Sequence, residues 1–222
     1  MKKILLIVCA ALISIISFAQ DVHFYCFNIN EDINKLNECR SGNIEWAENL
    51  LKIFPLSSDG YISHTYTIES SDSLKAKRVM IVIHNWMNSL FKSPDTAIKQ
   101  IDNVEHTIFA SASFGILGQE NGLTRASRIT ADHDLKVEVH EKSIVIKMRV
   151  RHYQLAGFNA FKGANGDLVN INTVFPVGSN NMYRPAFAQA FINANSLCLT
   201  TSKGLLEYIN QHYNTITEDE TW

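Results

Sequence analysis

The chain has 222 residues, 46% hydrophobic and 19% charged, with 20 basic residues against 22 acidic ones. That length supports one sizeable hydrophobic core or two small ones. The mild acidity argues against a nucleic-acid partner held by charge.

Met1 to Gln20 reads as an export signal. Lys2 and Lys3 precede an apolar run from Ile4 to Ile16, and Ser17-Phe18-Ala19 places small residues on either side of a bulky one, as a signal-peptidase site requires. The run is shorter than the roughly 20 residues that span a bilayer, so cleavage before Gln20 and an exported, periplasmic or extracellular chain with no transmembrane segment are expected. Cleavage takes Lys2 and Lys3 from the 20 basic residues and leaves 18 against 22, a net charge near -4.

Three cysteines follow the leader, Cys26, Cys39 and Cys198. In an oxidising compartment Cys26 and Cys39 can bridge a short loop and leave Cys198 buried. Equally, all three are small enough to serve as core hydrophobes. No CxxC and no close Cys/His pair occurs, so a structural metal is not expected.

Residues 20 to 58 form a helical leader to the main body. Val22, Phe24 and Phe27 suit a short strand or tether, and Ile44, Ala47, Leu50, Leu51 and Phe54 recur at helical spacing before Pro55. Ser57-Ser58-Asp59-Gly60 is turn chemistry and marks a boundary. Tyr61 to Glu69 alternates as a strand. Leu74 to Phe91 then places Ala76, Val79, Met80, Ile83, Trp86, Met87 and Leu90 on one helical stripe, the pattern of a helix packed on a sheet. A short strand is expected over Ala97 to Asp102 and a longer one over Thr107 to Leu117, with a loop over Gly118 to Thr124.

Asp132 to Leu155 is read as a long antiparallel hairpin turning at Glu141-Lys142. Val139 then faces Ile144, Val137 faces Ile146 and Leu135 faces Met148, an apolar face. On the opposite face Asp134 meets Arg149 and Asp132 meets Arg151, favourable cross-strand pairs. A slip of one residue would bury the charges, so the register is well specified. Residues 156 to 222 are expected to be a loop-rich and helical extension, with Gly157, Gly163, Gly166 and Gly178 scattered through its first part, then a helix from Arg184 to about Thr200, and Ser202 to Tyr213 as a second helix or an extension kinked at Gly204.

Three groups of residues invite a chemical reading. Lys147, Arg149 and Arg151 form a cationic line, either a site for an anionic ligand or a solvated face neutralised by Glu138, Asp134 and Asp132. Tyr153, Phe158, Phe161, Phe175 and Tyr183 either line a groove or pack a long loop onto the sheet. His133 and His152 fall near one another in the hairpin and are the one plausible imidazole pair for acid–base or metal work. The spacings G-x-S-x-G and H-E-x-x-H are missing, and Gly115, Gly118 and Gly122 do not make a nucleotide-binding loop, so no cofactor is expected.

With these elements placed, residues 59 to 155 resemble the exported bacterial family called domain of unknown function 4468, described as having a TATA-binding-protein (TBP)-like fold. The likeness rests on Leu74 to Phe91 followed by Lys92-Ser93, on Ile98-Lys99-Gln100-Ile101-Asp102, on Phe109 to Gly115, and on the hairpin Leu135 to Tyr153. Asn103-Val104-Glu105-His106 stands where the family usually has a glycine-containing turn. The element order is that of an α+β fold with a long helix on one face of the sheet; the resemblance implies a curved antiparallel sheet, and the C-terminal helices are read from residues 184 to 213 alone. The family has no assigned activity, so it implies no catalytic residue, and likeness to a DNA binder does not carry DNA binding with it.

The expectation is therefore an exported, non-catalytic binding or interaction module for a small molecule, a peptide or an envelope protein. Lys147, Arg149, Arg151, Tyr153, Phe158 and Phe161 are its candidate contacts. An unmotified hydrolase using His133 and His152, and a structural subunit of an envelope assembly, are the alternatives.

Overall fold

The computed structural model describes residues 21–38, 44–121, 125–159, 163–176 and 183–216; for residues 125, 158, 159 and 163–165 the description covers the backbone. The expected export signal, Cys39 and Phe161 lie outside the described residues.

Seven strands form one antiparallel sheet: β1 (Phe24–Tyr25), β2 (Ile62–Ser70), β3 (Ile98–Asp102), β4 (Thr107–Asn121), β5 (Arg125–Val139), β6 (Ser143–Asn159) and β7 (Gly163–Asn170). Their order is β1-β2-β6-β5-β4-β3, and β7 pairs with the part of β6 that β2 does not reach. Among the described residues five α-helices accompany them: α1 (Phe27–Glu38), α2 (Ile44–Ile53), α3 (Ala76–Leu90), the short α4 (Pro94–Ala97) and α5 (Arg184–His212).

The hairpin has the register its alternation specifies, with Val139 opposite Ile144, Val137 opposite Ile146, Leu135 opposite Met148 and Asp134 opposite Arg149. All six of those apolar side chains are buried, and Trp86 of α3 is buried with them. Side chains alternate strictly along a strand, so one face of the sheet becomes apolar and the other stays wet. Helix α3 packs on the apolar face against β4 and β5, while α5 reaches β1, β2, β4, β5 and β6 and also carries α1, α2 and α3. Buried side chains from Phe24 to Ile216 join one hydrophobic cluster, to which residues of the leader and of the C-terminal segment contribute.

Close approach of α5 to β4 depends on small residues. Ala186, Ala188, Ala190 and Ala194 are buried along the helix, and a side chain on Gly118 would run into the carbonyl of Ala186. At this contact Asn193 Nδ2 donates to the Leu117 carbonyl (2.6 Å), and the Gln119 N–H donates to Gln189 Oε1 (3.0 Å). Helix side chains thereby occupy backbone groups on the edge of β4 beyond the reach of β3. A second polar contact inside the core joins His64 Nε2 to Asn195 Oδ1 (2.8 Å), and Asn195 Nδ2 donates to the Phe191 carbonyl (2.8 Å).

Four expectations are corrected. Leu155 to Asn170 is not a loop: β6 runs to Asn159 and β7 follows, because main-chain pairing to a long neighbour holds a strand whose own side chains show no alternation. Helix α5 continues through Gly204 because Leu205 and Ile209 bury beyond it, and that packing outweighs the roughly 1 kcal/mol that a helical glycine costs. The loop expected over Gly118 to Thr124 is strand as far as Asn121, because β4 pairs with β5 up to Asn121 opposite Ala126. The fourth lies in the hairpin: a bulge between Ala131 and His133 puts Arg151 and His152 together opposite Asp132, so Asp132 does not face Arg151 on its own rung.

Cys26 and Cys198 are buried free thiols. In the turn between β3 and β4, His106 takes φ 51°, the left-handed conformation that a glycine there would adopt without strain.

Candidate functional site: the outer face of the sheet

The helices leave the second face of the sheet uncovered. Lys136 and Asp134 of β5, Lys147, Arg149 and Arg151 of β6, Ser63 and Thr65 of β2 and Phe109 of β4 line a shallow depression there of about 200 Å³. The predicted cationic line therefore exists as a line. Its charges, however, are not equally compensated.

Lys136 and Lys147 stand directly opposite one another across the β5–β6 ladder, a repulsive arrangement by itself. Glu138 bridges both, at 2.8 Å to each ammonium, and the two lysines hold its carboxyl below the usual range. Arg151 is bonded to Asp134, and Asp132 accepts from Gln154 Nε2 (3.2 Å). Arg149 has no carboxylate within ion-pair distance among the described residues; its guanidinium sits 5.6 Å from the centre of the Tyr61 ring. Four cations thus share two carboxylates, Glu138 and Asp134, and the local balance is +2 on a chain whose formal net charge is -2.

The bulge sends Arg151 and His152 together into a neighbouring depression of about 180 Å³, which Ser111, Asp132, Gln154 and Leu168 also line. It also changes the parity of β6. Val150 is buried, and so is Tyr153 rather than His152. Tyr153 consequently lies in the core beside Phe187 (ring centres 6.0 Å apart), its hydroxyl has no hydrogen-bond partner among the described residues, and burial raises its pKa. Phe175 and Tyr183 are buried too, Phe175 against Phe191 (4.5 Å) and Tyr183 close to Gly157. Of the predicted contacts, Lys147, Arg149 and Arg151 share the open face; Tyr153 points away from it, and neither Phe161 nor the side chain of Phe158 is among the described groups.

The imidazole pair that the hydrolase alternative requires is not formed. His133 lies on the inner face, flat against Phe114, with centres 3.8 Å apart and planes 8° apart. Burial pushes it down to about 4, outweighing the opposing influence of Asp134 and Asp132. His152 lies on the outer face, edge-on to Tyr61. One hydrolase-type spacing does occur, S-x-x-K at Ser89-Leu90-Phe91-Lys92. There the Ser89 hydroxyl donates to the Trp86 carbonyl (2.7 Å), and no lysine bonds it among the described residues. Groups of three or more His, Cys, Asp or Glu side chains placed to hold a metal ion are absent among the described residues. Sequence reading missed Tyr61, Phe109, Gln154 and Leu168 as neighbours of the cationic line: Tyr61, Phe109 and Leu168 come from outside β6 and are joined to it by the sheet order, and Gln154, on β6 itself, shares the open face because of the bulge.

No protein-family model matches the sequence, and no curated protein does. Solved structures similar to it include a TBP-like protein from Parabacteroides distasonis ATCC 8503, 12% identical, covering 68% of this chain and 96% of that one with a TM-score of 0.48. They also include a DUF4468 family protein from Bacteroides ovatus ATCC 8483, 10% identical, covering 74% of this chain and 92% of that one with a TM-score of 0.47. The family named from residues 59 to 155 is thus among the chain's structural neighbours.

Proposed function

We propose that this chain is an exported, non-catalytic binding module whose open sheet face takes an anionic ligand. One observation carries the reading: Arg149 is a cation without a carboxylate partner among the described residues, on a face that is locally positive while the chain as a whole is acidic. A guanidinium presented on a flat, rigid sheet is suited to bidentate capture of a carboxylate or sulfate, and Lys136 and Lys147 add field at short range. The curved antiparallel sheet with helices on one side supports the reading by leaving a whole face free. Export is supported by Lys2, Lys3, the apolar run and Ser17-Phe18-Ala19; no described helix is long and apolar enough to cross a membrane.

Calorimetric titration with sulfate and with glucuronate at low salt tests the site. Arg149→Gln is expected to weaken binding about tenfold, the size of one charge-assisted contact, and added salt to weaken it further. Equal affinity in the wild type and Arg149→Gln would remove the assignment. For export, N-terminal sequencing of the released chain is expected to begin Gln20-Asp21-Val22, and a chain retaining Met1 would contradict it.

A further inference from the structure

The depression at Arg149 is one end of a longer trough. It shares Asp134 and Arg151 with the depression at the bulge, and that one shares Gln154 and Leu168 with a third, of about 510 Å³, along Arg128, Thr130, Ala156, Gly166 and Asp167. From Lys147 to Ala156 the trough follows β6 for about 30 Å, at roughly 3.3 Å per residue. An extended ligand fits this shape.

Two features decide which kind. The floor is made by β5 and β6, each paired on both sides, β5 with β4 and β6, and β6 with β5 and then with β2 and β7. Apart from the bulge at Asp132 and Arg151-His152, their N–H and C=O groups are committed to the ladders, so a peptide lying here cannot add as a strand, and its own amides would find mainly side chains. Charge is the second feature. The excess of cations is confined to the Arg149 end; farther along, Asp132 and Asp167 accompany Arg128, and Asp134 is bonded to Arg151. A polymer bearing a negative charge on every unit would meet those carboxylates. What this stretch offers instead is hydroxyls, an amide and carboxylate acceptors (Thr130, Gln154 and Asp132), together with Leu168, an apolar side chain 66% exposed.

We infer that the trough binds a linear oligosaccharide of mainly neutral sugars carrying an acidic residue at one end, with its carboxylate or sulfate on Arg149. Sugar hydroxyls donate to Asp132 and exchange hydrogen bonds with Thr130 and Gln154, and the apolar face of one ring covers Leu168. This inference rests on the anionic-ligand reading of the same site and adds the chemistry of the ligand.

The test is an array of uronate-bearing, sulfated and neutral oligosaccharides, from disaccharides to hexasaccharides, with a hexaglutamate peptide beside them; hits are then titrated against the full chain. Acidic oligosaccharides are expected to bind about tenfold or more tightly than their neutral counterparts, as one desolvated ion contact warrants, with affinity rising with length. Gln154→Ala and Leu168→Asp are expected to weaken the long ligands and to spare glucuronate, whereas Arg149→Gln weakens both. Leu168 and Gln154 are surface positions, and an unchanged thermal melt confirms that these variants fold. Binding of hexaglutamate without any saccharide would overturn the oligosaccharide inference and leave the anionic reading standing. Neutral sugars binding as tightly as acidic ones would overturn both, as would binding of none of these probes.

Discussion

Asp134 bonds the guanidinium of Arg151 although its partner on the same rung of the ladder is Arg149. The bulge at Arg151-His152 brings the second arginine back within reach, and Arg149 is left to Tyr61. Asp134→Asn should therefore free Arg151 without harming the fold, since the pair is half exposed on the arginine side and such pairs are worth about 0–1 kcal/mol. Sulfate affinity is expected to rise, with a steeper dependence on salt, in titrations at two ionic strengths. A fall in affinity would count against a cationic site on this face.

Trp86 and Leu168 should lie at opposite ends of the stability scale. Trp86 is buried and its indole nitrogen faces Gly204 of α5, so Trp86→Ala removes a large side chain between two helices and is expected to cost roughly 3–5 kcal/mol. Leu168→Ala, on the open face, is expected to stay within about 0.5 kcal/mol of wild type. Urea unfolding of the two variants measures the difference, and similar midpoints would contradict the packing described.

Two glycines separate crowding from backbone conformation. A methyl group on Gly118 meets the carbonyl of Ala186 and must push α5 off β4, an overpacking cost of about 1–3 kcal/mol or more. Gly115 has φ +73° and open space around the position of its missing Cβ, so Gly115→Ala should cost only the left-handed backbone penalty of about 1–2 kcal/mol. Thermal melts are expected to rank Gly118→Ala below Gly115→Ala. Shortening α5 side chains at the contact would not rescue the former, because the obstacle is backbone.

Acid should destabilise the protein through His133. Its pKa falls from 6.5 to about 4 because burial against Phe114 and Phe91 disfavours the charged ring. The unfolded chain takes up the proton first, so the neutral ring's contribution is intact above about 6.5 and is lost as pH falls from there towards 4, up to about 3 kcal/mol. His64, buried beside Asn195 and also shifted down by burial, acts in the same direction. Stability measured by urea unfolding between pH 7 and 4.5 is expected to fall less steeply in His133→Leu than in wild type. Parallel profiles would show that the ring titrates freely.

The sequence by itself determined the hairpin from Asp134 to Arg149, because a period of two with charges on one side tolerates no one-residue slip, and it determined α3, whose apolar stripe recurs at helical spacing. It also placed Lys147, Arg149 and Arg151 on one face. Only the tertiary structure decided what those cations meet. The bulge at Arg151-His152 has no mark in the residue pattern, yet it turned Tyr153 inward, moved His152 outward away from His133 and gave Asp134 to Arg151. Strand β7 and the unbroken run of α5 through Gly204 were equally invisible to local reading: β7 lacks apolar alternation and is held by its main-chain ladder with the adjacent β6, while α5 is held by the sheet and by α1 to α3, far away in the chain.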